Sequence, residues 1–131
     1  MRVLALDFGH ARTGVAVSDP TGTLARPVCV VERAASDGGL DQVERLIAEH
    51  GVERVVVGLP LTLRGERGKQ AQETQRFAEA LARRTNVPVV TFDERFTTNL
   101  AEQTPARSEE DARAAAHLLS SYLEWSSGAR A

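Results

Sequence analysis

Apolar and polar positions along the chain spell out most of its elements. Arg2 to Phe8 (RVLALDF) is a β-rich run, and it ends in Gly9-His10-Ala11-Arg12-Thr13-Gly14, a turn with glycine at both ends. Strand character resumes over Val15 to Asp19, and two apolar runs joined by a Gly-bearing loop read as an antiparallel hairpin. Pro27 to Glu32 predicts a third strand. Leu40, Val43, Leu46 and Ile47 then recur at helical spacing until Gly51 supplies a stop. Val52 to Gly58 (VERVVVG) is nearly continuous apolar sequence, as in a strand buried on both faces. A loop from Leu59 to Lys69 carries Pro60, Gly65 and Gly68. Gln70 to Arg84 places Ala71, Thr74, Phe77, Ala78, Leu81 and Ala82 on one helical face. Val87 to Phe92 predicts the next strand, which runs directly into Asp93-Glu94-Arg95. The last helix is expected to start at Ser108, a capping residue, with Asp111 three residues on in a position resembling a capping box. Ala112, Ala115, Ala116, Leu119, Tyr122 and Leu123 give it an apolar stripe.

The order β-β-β-α-β-α-β-α implies an α/β fold with a mixed five-stranded sheet, an antiparallel meander of three strands followed by parallel strands, flanked by helices. A Rossmann arrangement fits poorly, because a hairpin follows the first strand and no G-x-G-x-x-G is present.

Length and composition narrow the function classes. A chain of 131 residues suits one domain, read as residues 1–125 with a disordered tail at 126–131. The apolar runs are too short to cross a bilayer, and Asp7 breaks the layout of a signal peptide. The single Cys29 cannot form an internal disulfide, which suits a reducing cytosol, and its place in the run Val28 to Val31 marks it as a core residue rather than a nucleophile. A cytoplasmic protein with no membrane partner is the expectation. Net charge is −2 and the isoelectric point about 5.9, which argues against a nucleic-acid-binding domain, often above about 9. Of 16 basic residues only Lys69 is a lysine. Arginine's planar fork suits phosphates, but a GC-rich genome produces the same bias.

The chemistry concentrates where acids interrupt apolar elements. Asp7 sits inside VLALDF, where a lone buried carboxylate is costly, although an Asp at a strand end also serves an Asx-turn. Asp93 and Glu94 follow a predicted core strand at its carboxyl end, where open α/β sheets place their sites. On a regular strand they face opposite sides, so one of them at most joins Asp7, and Arg95 is available to pair with the other. Asp111 opens the final helix in line with Ala115, Leu118 and Tyr122, a place that capping and the helix dipole also favour. Converging carboxylates need a cation, and hard oxygen ligands suit Mg2+ or Mn2+. Two such ions about 3.5–4 Å apart can drive phosphodiester hydrolysis. His10 reads as a solvated turn residue, and His50 and His117 lack partners at zinc spacing. Arg64, Arg67 and Lys69 lie on a Gly-bearing loop beside a strand end, where they could meet phosphates or simply be solvated.

Five stretches occur together and in order: LALDFGHARTGVAVSD, VVVGLPL, the G-x-x-G-x-x-A-x-x-x-x-x-F-A-x-x-L pattern from Gly65 to Leu81, FDERFTT, and DARAAAHLLSSYL. They resemble the YqgF/RuvX family, described as Holliday-junction resolvases and pre-16S rRNA processing nucleases. The resemblance covers nearly the whole chain. It implies a ribonuclease H-like fold and a nuclease dependent on Mg2+ or Mn2+, with catalytic and metal-binding acids at Asp7, Glu94 and Asp111, and Asp93 as a neighbour that shares or replaces Glu94. Arg12 matches the family's first turn, and Arg95, Thr97 and Thr98 match its segment after the fourth strand. With Arg64, Arg67 and Lys69 these form the expected nucleic-acid contacts. Family members usually carry a longer, basic segment before the final Asp, whereas here only Asn99 to Glu110 intervenes. The implied partner is nucleic acid, either precursor rRNA or branched DNA. Symmetric junction cleavage needs two sites and hence a homodimer, although no interface stripe is legible. Two rival readings remain: a non-catalytic nucleic-acid-binding maturation factor with a degenerate site, and an actin-like phosphotransferase lobe suggested by D-x-G-x-x-x-x-G.

Overall fold

Alternation along the strands has a direct consequence in the computed structural model, which describes residues 1–62, 64–96 and 108–129. Strand β1 (Val3–Asp7) sends Leu4 and Leu6 to one side of the sheet and Val3 and Ala5 to the other. All four are buried. The same division continues through β2 (Arg12–Ser18), β3 (Ala25–Glu32), β4 (Arg54–Leu59) and β5 (Val89–Asp93). Two cores therefore share one sheet, which runs β3-β2-β1-β4-β5.

Helices α1 (Asp37–Glu49) and α2 (Lys69–Ala82) cover the first side, through Leu40, Val43 and Ile47 and through Phe77, Ala78 and Leu81. Ser36 caps α1 by accepting a hydrogen bond from the Gly39 amide at 3.1 Å. Gly51, at φ +60°, ends that helical segment in the left-handed conformation that glycine adopts freely. Arg84 ties the two helices together by pairing with Asp41 and Glu44. The second side belongs to α3 (Ser108–Ala129), whose Ala115, Leu118, Leu119 and Tyr122 pack on Val3, Ala5, Ala16, Val56 and Phe92. Among the described residues no helix is long and apolar enough to cross a membrane.

The pairing is mixed, as the element order implies. β1 runs antiparallel to β2 and parallel to β4, β2 is antiparallel to β3, and β4 is parallel to β5. The β2–β3 register shifts between Val15 and Ala16, beside Pro27, which has no amide to donate and sits on an edge strand that tolerates it.

Boundaries differ where backbone pairing outruns the apolar pattern. β2 begins at Arg12 rather than Val15, because Arg12 and Thr13 already pair with Glu32 and Val31. The hairpin turn is correspondingly short, and Arg12 rides on a strand. β4 starts at Arg54 and β5 at Val89, each two residues later than the apolar run suggests. A short 3-10 turn (Glu94–Phe96), unforeseen from sequence, follows β5. The last helix starts at Ser108 as expected and continues past residue 125 to Ala129.

Candidate metal and nucleic-acid site

Asp7 closes β1 directly after four buried residues, and its partner across the β1–β2 ladder is Gly14. Alternation turns it to the side that α3 covers. Glu94 opens the 3-10 turn after β5, and Asp111 lies in the first turn of α3. Three elements far apart in the chain thus bring three acids to one end of the sheet.

Asp7 and Glu94 share a side-chain hydrogen bond. Two carboxyl groups bond each other only when one holds a proton, since an ionised carboxylate is purely an acceptor. Burial is the main reason this proton is retained. It pushes Glu94 up to about 8, helped by the charge of Asp7, the shared bond and the charge of Asp93. Asp7 is also raised, first by burial and then by the charge of Asp111, with the bond to Glu94 opposing.

Asp111 is neutralised differently. Its Oδ2 lies 3.0 Å from Nε of Arg12, a close ion pair outside hydrogen-bonding geometry. Glu110 Oε2, in the same helical turn, is also buried without a hydrogen bond.

Two glycines set how closely these groups approach. A β-carbon on Gly14 would stand 1.8 Å from the carbonyl oxygen of Asp111, so the backbone of α3 rests directly on β2. One on Gly58 would stand 2.6 Å from Glu94 Oε1 and 3.0 Å from Leu118 Cδ2. Glycine inside a strand marks close approach of this kind, a signal present in the sequence but unused in the reading of it.

Asp93 turns elsewhere. It accepts hydrogen bonds from the Arg95 amide at 2.9 Å and from the Arg95 guanidinium at 2.6 to 3.0 Å. Those bonds hold its carboxyl below the usual range. Adjacent acids therefore part company, Glu94 toward Asp7 and Asp93 toward Arg95. The Arg95 guanidinium in turn lies 3.3 to 3.6 Å from where a Gly65 β-carbon would sit, so the basic loop packs against Arg95 through Gly65.

That loop is a hydrogen-bonded turn. The Thr62 amide donates to Glu66 O at 3.0 Å, the Gly65 amide to Thr62 O at 2.8 Å, and the Glu66 amide to Thr62 Oγ1 at 3.1 Å. Arg64 and Arg67 are exposed on it. Lys69, the first residue of α2, lines a cleft of about 370 Å³ with Phe8, Gly9, His10, Gln70 and Glu73. Phe8 stacks on Phe77 of α2 with ring centroids 4.5 Å apart, which puts this cleft on the opposite side of β1 from Asp7. Thr97 and Thr98 lie outside the described residues. Cys29 is partly buried against the first core, and burial pushes its thiol up.

The chemistry of the donors suits a divalent cation: all are oxygen, and Asp111 Oδ2, with Glu110 Oε2 beside it in the helix, is buried without a hydrogen bond. As the side chains stand, no three histidine, cysteine or acidic residues among the described ones are gathered closely enough to hold an ion. The physical reason is visible, since Asp7 and Glu94 bond each other and Asp111 faces Arg12. Glu110 and the Arg12 ion pair are the features sequence reasoning missed.

Comparison with known proteins concerns the chain as a whole. Residues 1–125 match the model of the RuvX family, described as Holliday junction resolvase. A protein of Chloroflexus aggregans named as a candidate pre-16S rRNA nuclease is 46% identical over 131 residues, spanning 93% of this chain and 92% of its own. One of the same name from Rubrobacter xylanophilus is 46% identical over 136 residues, spanning 98% and 96%. Among solved structures, Thermus thermophilus RuvC in complex with a Holliday junction substrate superimposes with a TM-score of 0.63 over 98% of this chain and 96% of that one. At 18% identity that likeness concerns the fold, the ribonuclease H-like sheet with its flanking helices.

Proposed function

The chain belongs to the RuvX family, and from that premise we propose that it is a divalent-metal-dependent nuclease cutting structured or precursor nucleic acid, with precursor 16S rRNA ahead of branched DNA as its substrate. The observation that carries this reading is the convergence of Asp7, Glu94 and Asp111 from β1, the 3-10 turn and α3 at one end of the sheet, with Asp7 and Glu94 partly buried against each other. Retaining such a pair costs desolvation that a purely structural strand end has no reason to bear.

Asp7, Glu94 and Asp111 would hold the cation, with Asp7 between the other two. Bound there, Mg2+ or Mn2+ would supply Lewis-acid polarisation of the phosphodiester and activation of the attacking water. For the chain's own groups, binding means that the proton shared by Asp7 and Glu94 leaves, because both carboxylates are then needed as ionised ligands. Asp93 supports the site indirectly: its bonds to Arg95 fix the turn that presents Glu94. Arg64, Arg67 and Lys69 stand where a nucleic-acid backbone could approach, and the Arg12 guanidinium lies 3.0 Å from Asp111. A homodimer would accompany a junction substrate, which needs two cuts.

The decisive variant is Asp7→Asn, tested on precursor rRNA, single strands, duplex and four-way junction with Mg2+ and with Mn2+. Cleavage is expected to fall at least about a hundredfold in a folded protein; a variant that cuts like the wild type defeats the mechanism. A second reading, a maturation factor that binds nucleic acid without cutting it, draws on the dispersed arrangement of the acids. Binding by the wild type without cleavage under any divalent ion would favour it.

A further inference from the structure

Arg12 occupies a place that a substrate contact alone does not explain. It extends from a strand, not from the turn, and its guanidinium lies against one of the three acids of the site, Asp111, at 3.0 Å. Its side chain is 38% exposed and that of Asp111 23%, so the pair is only half screened by solvent. A permanent cation therefore stands against the acidic end of the sheet, on Asp111. Gly14 seats the backbone of α3 directly on β2 beside Arg12's strand, so Asp111 can exchange partners by side-chain rotation with the helix in place.

We propose that Arg12 is an internal counter-ion for Asp111: its guanidinium occupies Oδ2 in the metal-free protein and yields that oxygen when a divalent cation binds. The inference rests on the metal-nuclease reading above. Ion and guanidinium compete for one carboxylate, so Arg12 weakens metal binding while it keeps the empty site intact. Arg12 is thus a positioning residue, which acts on the site through Asp111.

The test is a calorimetric titration of Mn2+ into the full chain, without nucleic acid, for the wild type, Arg12→Gln, Arg12→Lys and Asp7→Asn. Removing the competing charge in Arg12→Gln is expected to tighten Mn2+ binding about fivefold, with Arg12→Lys in between. In parallel, the Arg12 Nε–H resonance of the wild type should shift as Mg2+ saturates the site, which answers the question even where a variant does not fold. Equal or weaker binding by Arg12→Gln, or an Nε resonance unmoved at saturation, overturns the counter-ion role. If Asp7→Asn has meanwhile abolished binding, the metal-nuclease reading stands without it. Absence of any Asp7-dependent binding in the wild type removes both.

Discussion

Glu94 loses its proton near pH 8 in the folded chain and near its ordinary value of 4.5 once unfolded. Between those values the folded protein binds the extra proton, so stability is greatest at the acid end of the window and falls as pH rises through it. Melting temperature measured in chelator should therefore decline from about pH 5 to about pH 8, and Glu94→Gln should flatten that decline. A profile that rises over the same range would show that the pair does not share a proton. Asp7 and Asp111 were legible as sequence, one as an acid breaking an apolar run and the other as the opening of a striped helix. The choice between Asp93 and Glu94 was not, because it depends on a 3-10 turn that replaces strand alternation after Asp93. Nor could spacing reveal that Arg95 holds Asp93 from both its backbone amide and its guanidinium.

Elements reach the site through glycines rather than through the acids themselves. Gly58 lets Glu94 and Leu118 close over β4, and a methyl there would meet a carboxylate oxygen at 2.6 Å. Gly58→Ala should displace Glu94 while α3 and the sheet persist. Activity is expected to drop about a hundredfold, the cost of roughly 1 Å of misplacement, with an unchanged circular dichroism spectrum. Wild-type turnover in that variant would mean that Glu94 needs no fixed seat. The number and order of the strands and α-helices were readable because each carries its period: two in Leu4, Leu6 against Val3, Ala5, and near 3.6 in Phe77, Ala78, Leu81. The early start of β2 was hidden, since Arg12 and Thr13 join the ladder through backbone pairing with Glu32 and Val31, which side-chain polarity does not encode.

Taken as a whole, the molecule is slightly acidic, with a net charge of −2, yet it carries an exposed basic turn packed against Arg95, next in sequence to Glu94. If that turn is the chief contact to phosphates, binding of duplex DNA should depend only shallowly on salt. Replacing Arg64 and Arg67 by alanine should then lower the log–log salt slope by about two, close to one per lost phosphate contact. Fluorescence anisotropy across a salt series measures it, and an unchanged slope would place the nucleic acid elsewhere. The two-sided core has a further consequence in time. One side of the sheet is covered by α1 and α2, made midway through synthesis, but the other waits for α3, which follows every strand. A nascent chain that has emerged from the ribosome only through β5 and the 3-10 turn after it already holds Asp7 and Glu94. It lacks the helix that buries them, the third acid and the counter-charge pairing that steadies it. Such a chain leaves Ala5, Val56 and Phe92 bare to solvent and cannot assemble its acidic end. The order of translation thus delays any activity of the site until the polypeptide that contains it has been made through α3.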